Sequence, residues 1–166
     1  NASPPTILDR RFGEVLDGAP LDRLKIEVTE HAPIEDYARF AAALAPFRAL
    51  GAELAVDDAG AGFSSFRHII NLKPDLIKLD IALTRDIDKD AARRALTSAL
   101  IYYARETGSE IIAEGIETED ELKTLRSLGI LRGQGYLLGW PETLARAAAH
   151  GPLERRLSSP AGARAS

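Results

Sequence analysis

The chain has 166 residues, of which 45% are hydrophobic, so it is long enough for one globular domain with a sizeable core. Its net charge of -4, with acids and bases interspersed, argues against a broad surface for duplex nucleic acid. The absence of cysteine excludes a disulfide framework, a thiolate zinc site and a cysteine nucleophile.

Localisation follows from what the sequence lacks. No apolar run approaches the length of a membrane span and no signal peptide is visible, so we expect a cytoplasmic domain. The chain opens on Asn1 rather than Met, and we therefore expect it to be part of a longer protein, whose other regions could tether it to a membrane.

Short β-like runs alternate with helical runs along the chain. In order, the pattern predicts a strand at 24–29, a helix at 36–50, a strand at 53–57, a helix at 64–70, a strand at 76–80, a helix at 90–106, a strand at 110–114, a helix at 118–128 and a strand at 134–138. Pro46 is expected to break or kink its helix. Thr118 is expected to cap the last predicted helix, with Glu121 three residues on completing a capping box. Strict alternation predicts a parallel sheet, either open and doubly wound or closed as a barrel. The domain is expected to occupy residues 1–144, followed by a helix remnant and a disordered tail over 145–166.

Charged residues lie at the carboxyl ends of successive predicted strands. They are Glu27, Asp57, Lys78 with Asp80, and Glu114. In parallel α/β folds the loops that follow the strands converge at this edge, and ligands bind there. A solvated surface would explain any one of these charges, but it explains poorly why successive strand ends each carry one. The pattern therefore predicts a functional site at this edge.

The acidic residues predict a site for hard cations. Adjacent Asp57 and Asp58 follow an apolar run, and clustered carboxylates stay ionised together only when cations neutralise them. With no cysteine and only three histidines, an all-oxygen ligand set favours Mg²⁺ or Mn²⁺ over zinc, and a pair of adjacent aspartates can serve two ions. Lys78 could orient a water molecule or neutralise transition-state charge, or it could form a structural ion pair.

The remaining polar and aromatic candidates carry less information. His31, His68 and His150 fit no metal-binding spacing and are predicted to lie at the surface. Trp140, which precedes Pro141, is predicted to be a packing residue.

Several segments together resemble the EAL domain family, the bacterial phosphodiesterases of cyclic di-GMP. The segments that carry the resemblance are NASP at 1–4, IEVTE at 26–30, DDAGAGFSS at 57–65, DLIKLD at 75–80, AEGIET at 113–118 and QGY at 134–136. One such motif would be weak evidence, whereas the set in the family's order and spacing is specific. The resemblance covers the chain to about Pro141.

The resemblance implies a role for each matching residue. It implies metal ligands at Asn1, Glu27, Asp57, Asp58 and Glu114, catalytic residues at Lys78, Glu114 and Asp57, substrate contacts at Gln134 and Asp80, and site-supporting residues at Thr29, Glu30 and Glu117. By this likeness Asp57 bridges two Mg²⁺ or Mn²⁺ ions and Asp58 serves the second. Lys78 contacts the hydrolytic water.

The family fold is a (β/α)₈ barrel of the TIM type with one strand reversed, and in this chain it would be incomplete at the N-terminus. The family's Glu-x-Leu motif, which supplies another metal ligand, lies upstream of Asn1. We therefore expect residues 1–166 alone to be nearly inactive, and either oligomeric or only partly stable. Ala59 departs from the family's Phe and could loosen the loop beside the metals.

Three functions compete. The leading one is metal-dependent hydrolysis of cyclic di-GMP to the linear dinucleotide pGpG in bacterial second-messenger signalling. The alternative is an inactive EAL-like module that binds cyclic di-GMP or a protein. A phosphoacceptor receiver domain is disfavoured because Glu27 and Glu114 would have no role in it. The expected partners are cyclic di-GMP and further signalling domains of the parent chain, and a homodimer is compatible with the open sheet edges.

Overall fold

The computed structural model describes residues 1–29, 33–60 and 62–141. Their elements, in chain order, are helices α1 (Pro4–Leu8) and α2 (Arg11–Val15), a 3₁₀ turn (Leu21–Arg23), β1 (Lys25–Val28), α3 (Tyr37–Ala49), β2 (Glu53–Ala59), α4 (Phe63–Leu72), β3 (Leu76–Leu79), α5 (Ile81–Thr84), α6 (Ala91–Thr107), β4 (Glu110–Ala113), α7 (Glu119–Leu128) and β5 (Arg132–Gly133). Helices therefore separate consecutive strands, as the sequence predicts.

The strands form one parallel sheet in the order β1-β2-β3-β4-β5. A doubly wound sheet reverses its strand order at a switch point, whereas a barrel adds each strand beside the previous one. The sequential order observed here is that of part of a barrel. The predicted α/β fold of barrel type is confirmed.

Two apolar clusters hold the helices against the sheet. One joins α3 to β1 and β2 through Phe40, Leu44 and Leu54. The other packs α6 and α7 against β3 and β4, with Leu100 and Leu125 at its centre. Burial of these side chains fixes the strands, and with them the loops that follow the strands.

The predicted strand at 134–138 is wrong. β5 ends at Gly133, and the chain then turns, with the Leu138 N–H donating to the Gly135 carbonyl (3.0 Å). A Cβ atom on Gly135 would lie 2.2 Å from backbone atoms of Ile116. The close approach of these two backbones requires glycine at position 135, and the turn that begins there ends the pairing with the β4 side of the sheet.

The predicted break at Pro46 and the predicted surface position of His68 are wrong. Helix α3 is not broken at Pro46 but continues to Ala49, because the lost hydrogen bond falls near the helix end while packing holds the turns before it. His68 is only 2% exposed, and its Nδ1 lies 2.8 Å from the Tyr37 hydroxyl oxygen, since α4 turns this face towards α3. Trp140 stacks on Tyr136 and is otherwise largely exposed.

Some expectations fall outside the described residues. His31, His150, Glu30 and the segment 145–166 are among them. Within the described residues, no helix has both the length and the apolar character needed to cross a bilayer.

Candidate metal centre and active site

The strand register brings the predicted site residues to one face of the sheet. It pairs Glu27 with the residue two positions before Asp57. The residue two positions before Asp57 pairs in turn with the residue two positions before Lys78. Lys78 itself pairs with the residue two positions before Glu114. Because alternate residues of a strand face opposite sides, even spacings place all four side chains on the same side of the sheet.

Lys78 lies at the centre of this group. Its Nζ is 2.9 Å from Asp57 Oδ1, 2.9 Å from Glu114 Oε1 and 3.4 Å from Glu27 Oε1. The Lys78 side chain is only 13% exposed, so the ammonium is held by these carboxylates rather than by bulk water. Such charge-assisted contacts fix its position.

The surroundings of Lys78 and Glu114 shift their pKa values upwards. Burial by itself would lower the pKa of Lys78, but hydrogen bonds to Asp57 and Glu114 outweigh burial and hold it above its ordinary value. Burial raises the pKa of Glu114, and the negative charges of Asp57 and Asp58 add to that, against the lowering effect of Lys78. Lys78 is therefore a permanent cation at physiological pH.

The carboxylates fit a hard divalent cation. Oxygen atoms of Asp57, Asp58 and Glu114 lie within 4.8 Å of one another. Together with Glu27 they supply more negative charge than the single ammonium of Lys78 neutralises. An all-oxygen donor set with excess negative charge suits Mg²⁺ or Mn²⁺.

The backbone at Asp58 departs from a regular strand. The β2–β3 register shifts between Val56 and Ala59, and Asp58 has a positive φ of 56°. The Asp58 N–H donates to Asp57 Oδ1 (3.1 Å). Bulges of this kind re-aim side chains at sheet edges, and here the bulge lets both adjacent aspartates contribute to the same carboxylate group.

Gln134 adds an amide to the site from the segment that directly follows β5. Its Nε2 donates to Glu114 Oε1 (2.7 Å), although the Gln134 side chain lies mostly in solvent. The Gln134 N–H also donates to the Ala113 carbonyl (2.8 Å), which ties the end of β5 to the end of β4. Gln134 therefore orients the Glu114 carboxylate and remains accessible to a ligand.

The loop after Glu114 is braced by a buried carboxylate that sequence reasoning recognised only as half of a helix cap. Glu121 is 1% exposed and accepts the backbone N–H groups of Asp86, Glu117 and Thr118 at 2.9, 2.9 and 3.0 Å. Glu117 in turn pairs with Arg85. The capping-box spacing predicted the contact to Thr118, but no sequence signal pointed to Asp86.

The other predicted site residues are placed less directly. Asn1 is exposed, and the N–H of its neighbour Ala2 donates to the Glu27 carbonyl (3.0 Å), so the N-terminus runs beside the end of β1. Asp80 caps α5 by accepting the Ala82 N–H (2.7 Å). Thr29 is half-buried and follows β1.

The family model of the EAL domain matches residues 1–141 of the chain. The chain belongs to the EAL domain family. The EAL domain described here is 38% identical over 121 residues to cyclic di-GMP phosphodiesterase PA2567 of Pseudomonas aeruginosa, covering 73% of this chain and 21% of that protein. It is 36% identical over 126 residues to the probable cyclic di-GMP phosphodiesterase PdeD of Escherichia coli, covering 75% and 23%. The chain thus spans about a fifth of these relatives.

Solved EAL structures share the fold. The EAL domain of Mycobacterium smegmatis DcpA superposes with a TM-score of 0.80 at 28% identity, covering 88% of this chain and 68% of that one. Klebsiella pneumoniae BlrP1, in a complex with manganese and cyclic di-GMP, superposes with a TM-score of 0.75 at 33% identity, covering 83% and 37%. The predicted family is confirmed.

Proposed function

We propose that this EAL domain hydrolyses one phosphodiester bond of cyclic di-GMP to give linear pGpG, in a reaction that needs divalent metal ions. The observation that supports this most directly is the convergence of Asp57, Asp58 and Glu114 on Lys78. Relatives are named cyclic di-GMP phosphodiesterases, and BlrP1 complexes hold the nucleotide with manganese or calcium. Because the chain spans only part of its relatives, the activity is proposed for the domain within its full-length protein.

The proposed cofactors are two Mg²⁺ or Mn²⁺ ions. The proposed ligands are Asn1, Glu27, Asp57, Asp58 and Glu114. When bound, such ions polarise the phosphoryl group and make water a stronger nucleophile at neutral pH. The excess negative charge of the carboxylates supports this assignment.

Lys78 supplies the fixed positive charge of the proposed reaction. Its ammonium can donate a hydrogen bond to the attacking water and stabilise the negative charge that develops on the phosphoryl oxygens. Asp57 and Glu114 contact the same ammonium and are the candidate acceptors of the proton that the water loses. These three residues form the proposed catalytic group.

The remaining residues are proposed to bind substrate or support the loops. Gln134 is exposed next to Glu114 and can contact the nucleotide while it orients that carboxylate. Asp80 is proposed as a second substrate contact, although its carboxylate also caps α5. Glu117, through Arg85, supports the loop that follows Glu114, and Thr29 and Glu30 are proposed to do the same after β1. A homodimer, further signalling domains and a cytoplasmic location stay predictions from the sequence.

The test is to identify the product. The full-length protein is incubated with cyclic di-GMP and Mg²⁺ or Mn²⁺, and nucleotides are separated by chromatography. We expect conversion to pGpG, abolished by chelation and restored by either ion. Metal-dependent binding of the intact nucleotide with no turnover would contradict the proposal and support the inactive-module alternative.

A further inference from the structure

Two aromatic side chains stack on each other at the surface just beyond Gln134. The ring centroids of Tyr136 and Trp140 are 4.3 Å apart with an interplanar angle of 24°. The two residues are nevertheless 53% and 71% exposed. Stacking covers one face of each ring and leaves the other faces in water. This exposure is unfavourable unless another planar group covers those faces.

The pair is carried by a rigid turn. The Ile116 N–H donates to the Gln134 carbonyl (3.1 Å), and the Leu137 N–H donates to the Ile116 carbonyl (3.1 Å). Gly135 lies too close to Ile116 to admit a side chain, so the turn cannot move away without breaking these contacts. The backbone that carries Tyr136 is therefore tied to the segment that follows Glu114.

The backbone of Tyr136 lies close to Gln134, which contacts the carboxylate group. Gln134 Nε2 is 2.7 Å from Glu114 Oε1, and Tyr136 follows only two residues later. Two residues span at most about 7 Å of extended chain. A dinucleotide whose phosphate occupied the carboxylate site would have a base within reach of the rings.

We propose that the Tyr136–Trp140 pair binds one guanine base of the dinucleotide by stacking. This rests on the proposed function, because it takes cyclic di-GMP as the ligand. Base–aromatic stacking tolerates any base, so the pair provides affinity for the nucleotide rather than discrimination between guanine and adenine. It also positions the base while Lys78 and the cations proposed for the carboxylates would engage the phosphate.

Tryptophan fluorescence tests this: Trp140 is the sole tryptophan of residues 1–166, and its emission in the full-length protein is the part of the signal that Trp140→Phe removes. Cyclic di-GMP is titrated into the full-length protein with Ca²⁺ present, and calorimetry measures the Kd in parallel. We expect the nucleotide to quench this Trp140 emission, measured as the difference between the wild type and Trp140→Phe, which removes the indole fluorophore but keeps a stacking ring. Trp140→Phe should hold the Kd within about threefold, whereas Trp140→Ala should raise it roughly 5- to 100-fold, as expected for loss of one stacked base.

Turnover gives a second measurement. With Mn²⁺, Trp140→Ala should raise KM for cyclic di-GMP and change kcat by less than about threefold, because the base contact is equally present in ground and transition states. Tyr102→Ala is the matched control: Tyr102 is 67% exposed on α6, and its removal should change neither Kd nor KM.

The outcomes separate this inference from the proposed function. Cyclic di-GMP binding with unchanged Trp140 emission and a Kd within twofold in Trp140→Ala would overturn the stacking pair and leave the proposed function standing. A wild-type protein that binds no cyclic di-GMP by calorimetry would overturn both.

Discussion

Lys78 illustrates how one residue can serve both folding and chemistry. Its ammonium contacts carboxylates from three different strand ends, and without it their mutual repulsion would oppose closure of the sheet edge. In the proposed function the same fixed charge would stabilise the phosphoryl group. A purely structural ion pair and a catalytic lysine therefore predict the same geometry but different kinetics.

The first prediction separates these roles. Lys78→Ala should lower kcat for cyclic di-GMP hydrolysis by something like 10²–10⁴-fold while nucleotide binding stays mostly intact, because transition-state stabilisation is lost and ground-state contacts remain. Rates are measured on folded protein at saturating nucleotide and metal. Lys89→Ala removes an exposed lysine of a surface ion pair and should have no effect. A normal rate in correctly folded Lys78→Ala, with only stability reduced, would favour the structural role.

At the scale of elements, Glu121 joins α7 to the loop that precedes it and to the loop between α5 and α6. One carboxylate accepts backbone N–H groups from Asp86, Glu117 and Thr118. Burial by itself raises the pKa of Glu121, but these donors outweigh it and the pKa is lowered. A lowered pKa in the folded state stabilises the protein above the unfolded-state pKa of about 4.3, and this stabilisation disappears as pH falls towards the folded-state pKa.

The second prediction follows from these donors. Glu121→Ala should reduce the free energy of unfolding by about 2–4 kcal/mol at pH 7, because buried N–H groups lose their acceptor. The difference from wild type should shrink as pH falls below about 4. Denaturant unfolding at several pH values measures both. Glu119→Ala, at an exposed position in the same helical turn, should cost less than about 1 kcal/mol. An equal loss in the two variants would contradict the bracing role.

Helix α5 lies against the glycine that follows Glu114. Gly115 has φ of +68°, and a Cβ atom there would lie 2.6 Å from Cγ1 of Ile81. Gly108 has a similar φ of +75° with nothing within 4 Å of such an atom. The two glycines therefore share the backbone requirement and differ in the packing requirement.

The third prediction compares substitutions at Gly115 and Gly108. Gly108→Ala should cost about 1–2 kcal/mol for the left-handed backbone alone. Gly115→Ala should cost more and should also reduce turnover, because α5 or the Glu114 segment must shift to make room. In a double-mutant cycle, adding Ile81→Ala should recover part of the stability that Gly115→Ala loses. The steric account fails if Gly115→Ala and Gly108→Ala unfold at the same denaturant concentration.

At the scale of the whole molecule, the alternation of apolar runs was sufficient to predict the parallel sheet and the edge where the acidic residues meet. The predictions that failed depended on tertiary contacts. In place of the strand at 134–138 there is a turn bonded to the backbone of Ile116, a tertiary contact that no local pattern encodes. The burial of His68 results from the packing of α4 on α3, and the reach of Glu121 to Asp86 joins residues distant in sequence.

The central claim is that the carboxylates around Lys78 hold the metals that drive cyclic di-GMP hydrolysis. The most direct measurement is the Mn²⁺-dependent conversion of cyclic di-GMP to pGpG by the full-length protein and by its Asp57→Asn/Asp58→Asn variant. Each substitution removes a negative charge and a strong oxygen ligand, so we expect turnover in the wild type and none in the variant. Asp120→Asn, at an exposed ion pair on α7, should retain the wild-type rate. Hydrolysis by the double variant at the wild-type rate would show that the metals bind elsewhere.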